Sequence, residues 1–169
     1  MNDYGMNNDG MNDYGVTGAT TGAEVLIKLP IHEVWSGITA IERYGEWSPE
    51  CIHGAWLDEG VRFEARNRFP DGLETYVTCT VTVLEEPKRF GWDVYGDEAV
   101  PLAHWEYELE DRGAETLVRQ SFTHGPGESG LRMGVVQHPD RAAEVIQGRL
   151  DQLAANMRST LAAMESALR

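Results

Sequence analysis

The sequence predicts an α+β fold in which a curved antiparallel sheet of about six to seven strands wraps around one long C-terminal helix. Three observations carry that prediction. Segments with period-2 alternation recur between short turn signals from Arg62 to His124. Pro139 and Asp140 open a stretch whose apolar residues repeat every three or four positions to Leu168. Between them and the N-terminus, only the region from Pro30 to Trp47 has helical character.

Each element follows in chain order. The first stretch, MNDYGMNNDGMNDYG, repeats a short unit rich in Asn, Asp and Gly, which favours turns over packed structure. A disordered tail to about Gly22 is expected, with residues 23–169 forming one domain. Met1, Met6 and Met11 each suit a translation start, which would leave the tail no role of its own; a docking or capping segment is the alternative. Ala23 to Leu29 reads as a strand, and Pro30 suits the first turn of a short helix carrying Val34, Trp35 and Ile38 on one face. Thr39 with Glu42 has the spacing of a capping box for a second short helix running through Tyr44 to Trp47, closed by Ser48-Pro49. Arg62 to Phe69 and Leu73 to Leu84 form a hairpin about Pro70-Asp71-Gly72. Arg89 to Tyr95 is the next strand, and Ala103 to Glu110 pairs with Glu115 to His124 across Asp111-Arg112-Gly113. A Gly-rich loop with Gly125, Gly127 and Gly130 leads to the final helix, whose buried stripe is Ile146, Leu150, Leu153, Met157, Leu161, Met164 and Leu168. At ~1.5 Å per residue that helix would be about 45 Å long, enough to cross the sheet. With the short helices plugging one end, side chains alone would not fill the concave face, so a cavity is expected.

Composition excludes several classes. Lys and Arg number 14 against 28 Asp and Glu, a formal net charge of −14, which repels phosphate backbones and anionic lipid surfaces. Neither nucleic acid nor membrane insertion is expected. Cys51 and Cys79 have no metal or redox spacing, and a reduced, cytoplasmic setting follows. His32, His53, His104, His124 and His138 form no HExxH-type pairing, the glycine loop lacks the Lys-Ser/Thr of a phosphate loop, and no Gly-x-Ser-x-Gly elbow occurs. No metal or other cofactor is implied.

Three stretches give the chain a resemblance. They are Pro30 to Trp35 running on to Tyr44-Gly45-Glu46-Trp47-Ser48-Pro49; Gly60-Val61-Arg62-Phe63 with Arg66-Asn67-Arg68; and Thr80 through Glu85-Glu86-Pro87-Lys88-Arg89-Phe90. Together with the element order they resemble the START/SRPBCC superfamily, the helix-grip fold, and within it the bacterial polyketide cyclase or dehydrase-like members. The resemblance runs from Ala23 to Leu168. It implies the fold and a pocket for an apolar small molecule, but not one reaction, because function must be argued from the site. A homodimer is compatible with it.

Alternation assigns the pocket-facing residues. Phe63, Ala65, Asn67 and Phe69 share one face; so do Thr75, Val77, Cys79, Val81 and Val83; then Phe90, Trp92 and Val94; Trp105, Tyr107 and Leu109; and Val118, Gln120, Phe122 and His124. The expected ligand contacts are Trp35, Tyr44, Trp47, Phe63, Thr75, Trp92, Trp105, Gln120, Phe122 and Met157, with the tryptophans serving equally well as core. The first reading is a cyclase, aromatase or dehydratase-like enzyme of secondary metabolism, with a non-catalytic carrier or sensor of a lipid or apolar metabolite as the alternative. Such an enzyme needs a base for an acidic α-proton and donors for the enolate. His124 is the candidate base, and Tyr107 or Asn67 the donor. Each has a plainer reading: His124 as an exposed strand-end histidine, Tyr107 as a satisfied buried tyrosine, Asn67 as a cap for a bulge or strand edge. A carrier or sensor needs only the apolar wall and an entrance.

Overall fold

The computed structural model describes residues 13–169. Strand β1 (Thr20–Ile27) leads into helix α1 (Ile31–Ile38), a 3₁₀ turn (Ile41–Arg43) and α2 (Tyr44–Trp47). The strands β2 (Cys51–Asp58), β3 (Arg62–Arg68), β4 (Glu74–Glu85), β5 (Arg89–Tyr95), β6 (Ala103–Arg112) and β7 (Glu115–His124) follow. Helix α3 (Gly130–Gln137), a 3₁₀ turn (Pro139–Arg141) and α4 (Ala142–Leu168) complete the chain. All pairings are antiparallel, in the order β1-β7-β6-β5-β4-β3-β2. The fold is the expected helix grip: a meander of hairpins from β2 to β7, closed by β1 on β7, with α4 against it.

Local chemistry sets the hairpins. At the β3–β4 turn Gly72 takes φ 86°, a left-handed conformation glycine adopts without strain, and Asp71 Oδ1 accepts from Leu73 N at 2.9 Å. The β6–β7 turn repeats the device, with Gly113 at φ 78° and its N–H donating to Asp111 Oδ1 at 2.8 Å. Helix α4 buries Ile146, Leu150, Leu153, Ala154, Met157, Leu161 and Met164, so the three-and-four stripe is the face that grips the sheet. One cluster of buried residues gathers α1, Phe63, Phe90, Trp92 and Tyr107 around Leu161 and Met164; a second gathers Val16, Phe122 and Val135 around Leu150, Leu153 and Met157. Val94 and Trp105 pack against both.

Four local expectations are corrected. Strand β2 was not among the predicted strands: its ladder to β3 shifts register between Cys51 and His53 and again between Trp56 and Asp58, which erases a clean period of two. The glycine loop contains α3, whose N-cap Ser129 accepts from Arg132 N at 3.1 Å. Thr39 caps no second helix; it ends α1, and its hydroxyl donates back to Trp35 O at 2.8 Å. Pro139 and Asp140 form the 3₁₀ turn, and α4 starts at Ala142.

The N-terminal repeat falls mainly on residues outside those described. Of its last copy only Asp13 to Gly15 are described, and the residues just after it pack: Val16 is fully buried, Gly18 N donates to His124 O and His124 N to Ala19 O, each at 2.8 Å. The packed chain therefore begins ahead of Gly22.

Candidate functional site

The inward faces are those that alternation assigns. Phe63, Cys79, Phe90, Trp92, Tyr107, Leu109, Val118, Gln120, Phe122 and His124 are all buried on them; the exception is Val83, which the register shift after Val81 sets opposite Gly91 and so on the other face from Val81 and Trp92. Aromatic rings run across the sheet in one contact chain. Trp35 meets Phe90 edge-on at 6.2 Å, Phe90 lies 5.2 Å from Trp92, Trp92 stacks on Trp105 at 6.5 Å and 13°, and Trp105 meets Phe122 at 5.0 Å. Phe63 and Tyr44 flank Trp92 at 5.5 and 6.4 Å. Of the expected contact residues, Trp35, Tyr44, Trp47, Phe63, Trp92 and Trp105 thus belong to one aromatic wall, while Phe122 and Met157 belong to the second cluster.

The polar candidates fall in three separate places. His124 ends β7, with Nδ1 2.6 Å from Gly125 O and Nε2 2.6 Å from Ser129 Oγ. A carbonyl only accepts, so Nδ1 carries the proton and Nε2 accepts from the serine hydroxyl. Burial lowers the His124 pKa and the Arg132 cation lowers it further, against the opposing bond to Gly125, so the ring is neutral. Beside it, buried Arg132 pairs with buried Asp13 and donates to Thr17 Oγ1, Gly125 O and Gly127 O. Burial works against the Asp13 charge, and the bonds from Arg132 and Thr17 outweigh it, holding the carboxyl below its ordinary range.

Tyr107 lies elsewhere, opposite Gln120 and Phe90. It hydrogen-bonds to Tyr44, whose own hydroxyl donates to Ile38 O. A phenol has one hydrogen, so Tyr107 is the donor to Tyr44 and both hydrogens are spent. Burial raises both phenols well above their ordinary value, and neither ionises near neutrality. Asn67 is on β3, four strands from β7 or about 19 Å along the sheet at ~4.8 Å per strand. Its amide donates to Thr75 Oγ1 at 3.4 Å, across the β3–β4 ladder. Both cysteine thiols are pushed up by burial and are poor nucleophiles.

Alternation gives no sign of the cleft that the structure shows. A cleft of about 320 Å³ opens between α4, the segment after α2 and the β3–β4 hairpin, lined by Pro49, Glu50, Ile52, Arg68, Phe69, Pro70, Gln152 and Asn156. Glu50 ties its walls together: its carboxylate accepts from Arg149 at 2.7 and 2.8 Å and from Asn156 at 3.0 Å, and Arg149 lies 5.6 Å over the Phe69 ring. Of these lining residues only Phe69 was assigned to the pocket face by alternation; the others' sequence signal is adjacency, since Asn67 precedes Arg68, Met157 follows Asn156, and Trp47 stands two residues before Pro49. No group of three or more metal-binding side chains and no helix apolar and long enough to cross a membrane occurs among the described residues.

With this geometry in place, comparison with known proteins identifies the lineage. A family model described as polyketide cyclase / dehydrase and lipid transport matches residues 19–161. The chain belongs to this family. Membership agrees with the helix-grip fold and with the START/SRPBCC resemblance. No curated protein matches the chain. Among solved structures, a polyketide-cyclase-like protein from Corynebacterium glutamicum is 27% identical, over 90% of this chain and 92% of that one, with a TM-score of 0.61. The Zhui aromatase/cyclase from a Streptomyces species is 17% identical over 88% and 92%, with a TM-score of 0.66. A START superfamily protein from Mycobacterium smegmatis is 16% identical over 81% and 100%, at 0.56. The last two likenesses concern the fold alone.

Proposed function

We propose that this member of the polyketide cyclase/dehydrase family binds an apolar small molecule on the concave side of its sheet, beneath α4, and carries or senses it without transforming it. The observation that supports this most is the dispersal of the polar groups. Cyclisation or dehydration needs a base and a donor within about 3 Å of one reacting atom. Here His124, Tyr107 and Asn67 are each hydrogen-bonded within the chain, at three distinct places. What the inward side offers in quantity is aromatic area, the usual wall of an apolar binding site.

Native mass spectrometry of protein purified from its own host, with extraction of anything bound, tests the binding. An apolar metabolite of defined mass is the expected result. Empty preparations, together with a melting temperature that no apolar compound raises, would sink the reading.

A cyclase or dehydratase is the second reading, favoured by one feature: His124 is held neutral with Nε2 as an acceptor, the state a general base requires. Incubation with a linear poly-β-ketone thioester separates the two. A carrier returns the compound unchanged, or at the rate of buffer alone; an enzyme yields cyclised product at a rate that His124→Ala lowers at least a hundredfold.

A further inference from the structure

The cleft between α4, the segment after α2 and the β3–β4 hairpin carries a fixed pattern of hydrogen-bonding groups. Gln152 and Asn156 both line it, one turn apart on α4, so their side chains are neighbours on one helix face. Each amide has one half spent on the clamp between Glu50 and Arg149. A carboxylate only accepts, so Asn156 turns its Nδ2 donor to Glu50 Oε2, at 3.0 Å. A guanidinium only donates, so Gln152 turns its Oε1 to Arg149 Nη1, at 2.6 Å. The two charged partners thereby settle which way round both amides stand. Left over are Oδ1 of Asn156, an acceptor, and Nε2 of Gln152, a donor, and neither has a partner among the described residues. The charges around the cleft cancel in pairs, Glu50 with Arg149 at 2.7 Å and Arg68 with Glu74 at 2.6 Å, so the lining favours neither an anion nor a cation.

We infer that this cleft is a binding site for a neutral, planar amide, a carboxamide or lactam joined to a small apolar ring. The amide presents its N–H to Asn156 Oδ1 and its C=O to Gln152 Nε2, side by side on one edge, while its ring lies against Pro49, Phe69 and Pro70. A ketone or an ether would serve Gln152 alone. A carboxylate would set an oxygen against Asn156 Oδ1, and an amidinium would set an N–H against Gln152 Nε2. The amide edge is the one that matches both groups. At about 320 Å³ the cleft is at the lower end of the range that small-molecule sites occupy, which suits one ring and its substituent. It shares no lining residue with the aromatic wall on the concave side, so the inference stands or falls independently of the apolar-binding reading.

Three probes with one phenyl ring test the site: benzamide has the donor–acceptor edge, acetophenone the acceptor alone, and benzamidine two donors. Affinities are read on the full chain from the chemical shifts of the backbone amides of Phe69, Gln152 and Asn156. Benzamide is expected to bind about fivefold tighter than either of the others, the worth of one hydrogen bond. Gln152→Glu turns the donor into a second acceptor while keeping an oxygen for Arg149, and benzamidine should then bind tighter than benzamide. Ser159→Glu adds the same charge to α4 outside the cleft and should leave benzamide the tightest of the three. Gln152 and Ser159 are both exposed, so neither change disturbs the core. Equal affinities of benzamide and acetophenone for the parent, an order that Gln152→Glu leaves unchanged or Ser159→Glu inverts, or an absence of shifts at those three amides overturns the site. Each of those outcomes leaves the concave-side reading where it stands, because that reading is tested by the bound apolar metabolite.

Discussion

His104 and His124, on neighbouring strands, titrate in opposite directions. His104 is on the outer face, with Nδ1 2.8 Å from Asp93 Oδ1 and Nε2 3.1 Å from Glu106 Oε2. Burial disfavours its charge, but the bonds to both carboxylates outweigh that, and its pKa rises above the ordinary 6.5. Its contribution to stability is complete below 6.5 and is lost as pH climbs through the raised native value. His124 is the reverse case: its pKa is lowered from 6.5, so the unfolded chain binds the proton more readily, and stability is lost as pH falls from 6.5 through the native value. Thermal unfolding across pH 5 to 8 should therefore pass through a maximum near 6.5. His104→Gln should flatten the alkaline limb and His124→Gln the acid limb; a variant that leaves its limb unchanged would refute the assignment. Asn67, Tyr107 and His124 were legible in the sequence as inward polar residues, because alternation is a local property. Their hydrogen bonds were not, because the partners Ser129, Tyr44 and Thr75 come from other elements or from across a turn.

At the scale of elements, the regular strands and α4 were readable from period alone, whereas β2 and α3 were not. Strand β2 depends on close approach: a Cβ on Gly54 would meet Ile41 O at 2.6 Å, and one on Gly45 would meet Ile52 O at 2.6 Å. These glycines let the short helical segments lie directly against the edge strand. Gly54→Ala should lower stability by about 1–3 kcal/mol in urea unfolding, by forcing backbone apart. Helix α3 is held by the Arg132–Asp13 pair, whose side chains are 6% and 8% exposed. Removing either partner leaves a buried charge alone, and Asp13→Ala or Arg132→Ala should each cost about 3–5 kcal/mol. The double variant should cost much less than their sum; additive losses would mean the pair is not coupled.

At the scale of the whole molecule, Glu50 connects elements far apart in sequence. Its carboxylate joins the segment after α2 to Arg149 and Asn156 of α4, and its backbone oxygen accepts from Arg68 N at 2.8 Å. Glu50→Ala should cost about 1–3 kcal/mol and speed amide exchange around residues 49–52 and along the middle of α4, where the cleft opens. Exchange unchanged there would show that the clamp does not hold the cleft. The sequence by itself determined the strand periods, the α4 stripe, the turn residues Asp71-Gly72 and Asp111-Gly113, and the apolar character of the inward side, since each depends on residues a few positions apart. It also carried the likeness to the family, through stretches such as Pro30 to Trp35 and Arg66-Asn67-Arg68. Only the tertiary structure decided that His124, Tyr107 and Asn67 stand apart, that Glu50 meets Arg149 across 99 positions, and that Trp47 Nε1 and Gln120 Oε1 have no hydrogen-bond partner among the described residues. Hydrogen-bond satisfaction is settled by which groups meet in space, and chain folding brings those groups from distant positions.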